Sequence, residues 1–274
     1  MQPAQPLPPR QPEIPTWTLV TVTYNSAEQL RRHWQSRVPA SVRWIVVDNA
    51  STDDSREVAA ALGAEVIALP SNIGFGAANN VGYAQSDTEF VGFVNPDVSG
   101  DWDSLPTLAD ATRQSGGLLT PQLINHDGSL QPNGRGWPFL LSKVLHRTTD
   151  GSRDRSYRRY AKRDEMRSVV WIMGAVVLAS RDVFERLDGP WDEWFFVYYE
   201  DADICLRARR LGIPTIVAGG VHWRHGWERA TSTFNHHAWR REIPSMMKFY
   251  ARYPLLLSPF MALTQRWLEK GGPR

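Results

Sequence analysis

Two acidic sites and a pair of imidazoles stand where they could handle a cation and a proton. Asp97 follows the apolar run EFVGFV and the dipeptide Asn95-Pro96. A carboxylate at a strand end is the hard oxygen ligand a divalent cation prefers, and such a cation stabilises negative charge developing on a phosphate oxygen. Pro96 fixes the turn and Asn95 adds a hydrogen-bonding amide; an Asx-type turn would use the same residues without any metal. Glu200 and Asp201 open the segment EDADICLRARRLG behind Trp191, Trp194, Phe195, Phe196, Tyr198 and Tyr199. A carboxylate there can take a proton from an attacking hydroxyl, or serve the helix dipole as a capping acid. The aromatics before it suit the apolar faces of sugar rings as well as they suit a core. His222 and His225, three apart in VHWRHG, can each complete a metal's coordination as a neutral imidazole or be ordinary structural residues.

The elements that position these groups follow from periodicity and punctuation. Residues 17–23, 43–47, 65–69 and 89–94 are short β-branched or aromatic runs and read as strands. Between them, residues 27–35, the stretch opened by Ser51-Thr52-Asp53-Asp54 and stopped at Gly63, and residues 74–84 read as helices. This alternation predicts a mostly parallel sheet flanked by helices, in which ligands bind beyond the carboxyl ends of the strands. Polar residues stand at four such ends: Tyr24-Asn25, Asp48-Asn49, Ser71-Asn72, and Asn95 with Asp97. Further on, the sequence predicts a helix over 103–114, a strand over 117–124 and a turn at Asp127-Gly128. It also predicts one or two strands around Gly174, helices over 181–187 and 201–211, a strand over 214–218 and a last helix over 237–253. Residues 131–167, with the basic run RDRSYRRYAKRDEMR, read as irregular, either a mobile loop facing an acceptor or lipid or a solvated helix.

With 274 residues, 42% hydrophobic and 22% charged, the chain has ordinary globular composition. Its formal net charge of +2 is unevenly spread. Residues 47–110 hold eleven acidic residues and only Arg56 as a base, whereas residues 207–252 hold nine bases and two acids. The first stretch could hold a cation and the second could face an anion, unless both are merely solvated faces. Nothing in this pattern points to nucleic acid. A single cysteine, Cys205, excludes an intramolecular disulfide and fits a reducing compartment. Residues 1–15 read as a disordered proline-rich leader, not a signal peptide. No run is long enough to span a bilayer; the apolar stretch 253–263 could lie on a membrane surface or pack as part of the C-terminal helix.

The stretches VTVTYNS, VVDNASTDDS, NIGFGAANNVG, FVNPDV, MGAVVLASRDVFERLDGPWDE, FFVYYEDADICLRARRLG and VHWRHG together resemble the family 2 glycosyltransferases, in particular their rhamnosyltransferase-like branch. They cover residues 18 to about 226. The resemblance implies a GT-A fold: a Rossmann-like sheet that binds the nucleotide sugar over residues 16–115, a smaller acceptor-binding and catalytic half over 116–236, and a C-terminal helical extension over 237–274. It places Thr23, Tyr24 and Asn25 in a first donor loop, Asp48 on the pyrimidine base, and Asn72, Gly74 and Asn80 along the diphosphate and sugar. Asp97 matches the last residue of the metal-binding motif, whose first position here is Asn95, so a single carboxylate would hold Mg2+ or Mn2+. Asp201 matches the base, His222 or His225 the metal's histidine, and Gly174 and Asp192 the acceptor pocket beside Trp191. The implied reaction is inverting transfer of a sugar from a dTDP- or UDP-sugar, dTDP-rhamnose foremost, to a hydroxyl of a cell-surface glycan or lipid-linked acceptor. The implied place is the cytoplasm, with contact to the inner face of the plasma membrane through the basic stretches.

Three other kinds of protein would need different residues. A dinucleotide-dependent oxidoreductase would carry G-x-G-x-x-G after the first strand, where this chain has Tyr24-Asn25-Ser26-Ala27. A sugar nucleotidyltransferase would carry a glycine-rich phosphate loop at the same place. An inactive sugar- or nucleotide-binding protein would not be expected to keep Asp48, Asp97 and Asp201 together.

Overall fold

The computed structural model describes residues 16–35, 38–140, 157–226 and 236–257. Its spine is β1 (Trp17–Thr23), with all seven residues buried. A strand that is apolar or β-branched throughout suits a parallel sheet covered on both faces. Successive side chains of β1 serve opposite layers: Val20 packs with Phe93, Phe184 and Trp191, and Leu19 with Trp44, Phe90 and Leu178. β2 (Val42–Asp48) and β3 (Glu65–Ala68) continue parallel on one side, and β4 (Phe90–Val94) lies parallel on the other. α1 (Ala27–His33), α2 (Ser55–Ala61) and α3 (Phe75–Ala84) make the crossovers, matching the alternation read from the sequence.

After β4 come β5 (Val98–Ser99), α4 (Leu105–Ser115) and β6 (Leu118–Ile124). β7 (Gly134–Arg135), β8 (Arg158–Arg159) and β10 (Trp171–Ile172) form a small antiparallel sheet inside the stretch expected to be irregular and just after it. β9 (Met166–Ser168) joins the main sheet, as do β11 (Val176–Ser180) and β12 (Thr215–His225). The main order is β3-β2-β1-β4-β11-β6-β12-β5, with β9 pairing β12. β11 runs antiparallel between β4 and β6, whereas β6 and β12 are parallel. α5 (Arg181–Arg186), α6 (Glu200–Arg210) and α7 (His236–Arg252) complete the fold. Residues 1–15, most of the basic run's N-terminal side at 141–156, and residues 258–274 lie outside the described set. No helix among the described residues is long and apolar enough to cross a membrane.

The expected strand at 214–218 is longer than the sequence pattern indicates. β12 continues to His225, with an irregularity in register between Ala218 and His222. Glycines 219 and 220 interrupt the apolar run, which hides the continuation. Past the irregularity the strand alternates strictly: Val221, Trp223 and His225 are buried while His222 and Arg224 are exposed. Cys205 is fully buried in α6, and burial pushes its thiol up to about 12, leaving it a packing residue.

α7 and α6 are joined by a buried carboxylate. Asp203 is 0% exposed and accepts from the Tyr253 hydroxyl at 2.8 Å, Arg252 at 2.9 Å and Arg207 at 3.0 Å. Burial and the facing carboxylate raise the Tyr253 hydroxyl far above its ordinary range, so it remains a donor. Removing one member of such a cluster strands the others. Asp203→Ala should lower the unfolding free energy by about 3 kcal/mol in urea denaturation. An unchanged midpoint would show that Asp203 does not hold the two helices together.

Candidate active site

The carboxyl ends of β1 and β2 carry two loops sewn to each other by side chains. Asn25 has φ +54°, a left-handed conformation asparagine tolerates. Its amide donates to Ser51 Oγ at 2.9 Å, and its side-chain oxygen accepts from the Thr52 amide at 2.8 Å. Asp53, expected within the N-cap cluster of α2, caps α1 as well. It accepts from the Ala27 amide at 3.0 Å and from the Ser55 amide at 3.1 Å. Asp48 lies beneath, 1% exposed, accepting from the Thr23 hydroxyl and the Ser51 amide at 3.1 Å each, with Arg56 Nε 3.8 Å away. Tyr24, 43% exposed, projects from the rim.

The third loop is braced from the second. The Asn49 amide donates to Asn72 Oδ1 at 3.0 Å and to the Gly74 carbonyl at 3.1 Å, while its oxygen accepts from Ile73 N at 2.9 Å. Gly74 has φ +93°, and a Cβ there would lie 2.6 Å from the Phe196 carbonyl oxygen. The next amide, Phe75 N, donates to that same carbonyl at 2.7 Å. Only glycine permits this approach. It fixes the start of α3 against the aromatic segment that precedes Asp201.

At the fourth strand end, Asp97 faces His225. Asp97 Oδ2 is 3.4 Å from His225 Nε2, and Asp97 Oδ1 is buried with no hydrogen-bond partner. The pairing of β5 with the end of β12, closed by Gly226 N donating to the Asp97 carbonyl at 2.8 Å, brings the two residues together. Gln131 Nε2 donates to the His225 carbonyl at 2.9 Å and to Asn125 Oδ1 at 2.8 Å, so its Oε1 is the atom 2.8 Å from His225 Nδ1. This network assigns the ring hydrogen to Nδ1 and turns Nε2 toward the carboxylate. A carboxylate oxygen and an imidazole nitrogen that has given up its proton are a donor set that suits Mg2+ or Mn2+. Burial works to raise the Asp97 carboxyl, but His225 and His33 outweigh it and hold the group below its ordinary range. Among the described residues no three His, Cys, Asp or Glu side chains converge on one point.

Asp201 stands in the first turn of α6. Immediately before the helix, Tyr198 and Tyr199 both adopt positive φ, +69° and +73°. Two consecutive aromatic residues in this region are strained by about 1–3 kcal/mol each. Packing maintains them. Tyr199 stacks near Phe249 at 5.1 Å, the Ser245 hydroxyl donates to the Val197 carbonyl at 2.7 Å, and Lys248 donates to the Trp194 carbonyl at 2.6 Å. Asp201 is half-buried and its Oδ2 accepts from the Gly174 amide at 3.2 Å. A Cβ on Gly174 would come within 3.3 Å of the Asp201 Cβ. The neighbouring Ala175 carbonyl accepts from Asn95 N at 2.9 Å. One short path, Asp201–Gly174–Ala175–Asn95, therefore ties the carboxylate to the Asp97 turn.

Several residues expected at the site are placed elsewhere. Trp191 is 4% exposed and packs edge-on against Phe93 at 5.2 Å, so the structure corrects its reading as an acceptor contact to a core residue. Asn80 uses its amide to grip Trp191, donating to its carbonyl at 2.8 Å and accepting from its amide at 3.2 Å, and so positions this segment instead of lining a ligand. Asp192 is bonded to Arg252 at 2.5 Å and to the Trp194 amide at 2.9 Å, which makes it a brace to α7. Glu200 is 7% exposed, less accessible than Asp201. His222 projects from the opposite face of β12 to His225 and does not approach Asp97. Sequence reading missed Gln131, Asn133 and Arg135, since nothing marks them within an apparently irregular stretch.

A mostly parallel sheet with β11 reversed, carboxylates gathered beyond its strand ends and a second small sheet beside them is the layout of a GT-A glycosyltransferase. The sequence profile described as Glycosyl transferase family 2 matches residues 18–187, and the chain belongs to that family. The N-acetylglucosaminyl-diphospho-decaprenol L-rhamnosyltransferase of Mycobacterium tuberculosis is 30% identical over 217 residues, 71% of this chain and 70% of that protein. The mannosyltransferase PcManGT from Pyrobaculum calidifontis, solved with GDP-Man and Mn2+, superposes with a TM-score of 0.58 at 17% identity, covering 88% of this chain and 64% of that one. S. aureus TarS residues 1–349 with UDP-GlcNAc gives a TM-score of 0.56 at 16% identity, covering 79% of this chain and 60% of that one. The chain thus spans less than two thirds of the length of these two solved proteins.

Gly63 provides a control for the Gly74 contact, because it has the same φ of +93° with nothing within 4 Å of an added Cβ. Gly63→Ala should cost about 1 kcal/mol of stability through backbone strain alone. Gly74→Ala should cost more and should also depress transfer, since it displaces Phe196 and with it the approach to Asp201. Equal effects of the two substitutions on stability and rate would remove the Phe196 contact from the account.

Proposed function

We propose that this glycosyltransferase inverts configuration in a single displacement, with Asp201 as the proton acceptor and dTDP-rhamnose as the preferred donor. The observation that carries this is the half-buried Asp201 carboxylate, presented by a strained turn and linked through Gly174, Ala175 and Asn95 to the Asp97 loop. The acceptor hydroxyl gives its proton to Asp201 as its oxygen bonds to the anomeric carbon. The bond from that carbon to the donor's phosphate oxygen breaks, and the nucleoside diphosphate leaves with the electron pair. Thr23, Tyr24, Asn25 and Asp48 form the nucleotide end of the site, and Asn72, Gly74 and Asn95 the diphosphate and sugar end. Asp48, already engaged by Thr23 and Ser51, acts there chiefly by shaping the loop. Asp97 and His225 would hold Mg2+ or Mn2+, which when bound would offset the charge of the departing diphosphate. The manganese in PcManGT supports a cation in this fold.

The rhamnose assignment draws on the mycobacterial relative, whose name also gives a lipid-diphosphate acceptor. With a lipid-linked acceptor the protein would work against a membrane surface, its inner face in this reading. The exposed Met247, Leu255 and Leu257 on and after α7 suit such contact.

Asp201→Asn should lower the transfer rate by about 10²- to 10⁴-fold and leave the dissociation constant of the nucleoside diphosphate unchanged. Full turnover by that variant would remove Asp201 from the role. Asp97→Ala should abolish the extra thermal stabilisation that Mn2+ adds to dTDP, without affecting the melting temperature of the free protein by more than a few degrees. The same manganese-dependent shift in wild type and variant would count against Asp97 as a ligand.

A further inference from the structure

The small sheet brings two arginines together beside Asp201. Arg135 on β7 and Arg158 on β8 are register partners across an antiparallel pair, so both side chains rise from the same face. Arg135 is 6% exposed. Its guanidinium donates to the Gly134 carbonyl and to the Met173 sulfur, at 3.2 Å each, and lies 5.9 Å from the Trp171 ring and 6.0 Å from the Tyr157 ring. Arg158 Nε is buried and has no hydrogen-bond partner. Among the described residues no carboxylate lies within ion-pair distance of either side chain, and Asp201 acts on Arg135 only through the field of its charge.

This arrangement is unfavourable as it stands. A buried guanidinium without a counter-ion is costly, and like charges directly opposite across strands repel. Burial, joined by the charge of Arg158, lowers Arg135 to about 10 although the Asp201 carboxylate acts in the other direction. An anion lying between the two guanidiniums would relieve both penalties and satisfy the orphaned Nε. The position is informative. Met173 touches Arg135, and the next residue, Gly174, donates to Asp201. The arginines therefore adjoin the proposed proton acceptor and belong to a different sheet from the strands that carry the loops of Asp48 and Asp97, where the donor's own diphosphate is assigned.

We propose that Arg135 and Arg158 form a subsite for a phosphate or diphosphate carried by the acceptor, which offers its hydroxyl to Asp201 from a sugar attached to that group. This rests on the reading of Asp201 as the proton acceptor. Planar guanidiniums bind phosphate oxygens in pairs, and two of them match a diphosphate. The mycobacterial relative's diphosphate-linked acceptor belongs to the same chemical class.

The test is calorimetric titration of the full chain with inorganic pyrophosphate in the presence of EDTA, for wild type, Arg158→Met and Arg135→Met. Each substitution should weaken binding about tenfold, the loss of one charge-assisted contact. The melting temperature of Arg158→Met should be unchanged or higher, because the removed charge has no partner; a purely structural arginine would lower it. Should Arg135→Met fail to fold, the half-buried Arg158 carries the test alone. A short polyprenyl diphosphate sugar should compete with pyrophosphate, and anionic phospholipid vesicles should not. Equal pyrophosphate affinity in wild type and Arg158→Met, no binding by wild type, or competition by vesicles alone overturns the subsite. None of these readouts needs turnover. Asp201→Asn should bind pyrophosphate at least as tightly as wild type, so failure of the transfer mechanism and failure of this subsite are read separately.

Discussion

The placement of Asp201 depends on a stretch of backbone that would not hold its shape alone. Tyr198 and Tyr199 occupy left-handed conformations that an isolated peptide of this sequence would leave. Three contacts prevent that: the Gly74–Phe196 approach on the side of α3, the α7 side chains Ser245, Lys248 and Phe249 on the outer side, and the Asp203 cluster beneath. The first comes from the loop before α3, and the other two both draw on α7 and its end. The carboxylate is therefore held by tertiary structure and not by the local propensity of its helix, and the C-terminal helix is part of the site's support.

The other pole of the site is set by strand parity. Side chains alternate along β12, and His222 and His225, three residues apart, lie on its opposite faces, so the register of this strand end decides which of them meets Asp97. The irregularity between Ala218 and His222 selects the second histidine, and Gln131 then orients its ring. The imidazole is thus turned toward a carboxylate that has one oxygen buried, a geometry the fold itself sets.

The alternation of strands and helices through β4 was legible because each run has a clear period and a clear stop, such as Gly63 after α2 or Pro70 after β3. Asp97 and Asp201 stood out as candidates because of their residue types and their places at a strand end and a helix start, and the structure keeps both at those places. Trp191 and Asn80 were misread for a shared physical reason. An aromatic ring and an amide look alike in sequence whether they contact a ligand or each other's backbone, and here Asn80 grips Trp191. The choice between His222 and His225 could not be made because glycines 219 and 220 conceal the strand that decides it. Arg135 and Arg158 were invisible as a pair, since strands of two residues leave no periodic signal and their partnership spans a stretch of chain without pattern.

The reversed strand β11 has a consequence for how the molecule is assembled. It pairs along its whole length with β4, from Val176 opposite Val94 to Ser180 opposite Phe90, although some eighty residues of chain separate the two. Until β11 arrives, β4 presents a bare, fully apolar edge, the kind of surface that recruits strands from other molecules. Synthesis from the N-terminus exposes that edge for as long as the second half takes to emerge, and pairing at such separation is slow to form. The sheet of the first half is thus a structure completed from outside itself, by a strand that the chain supplies only after the intervening elements.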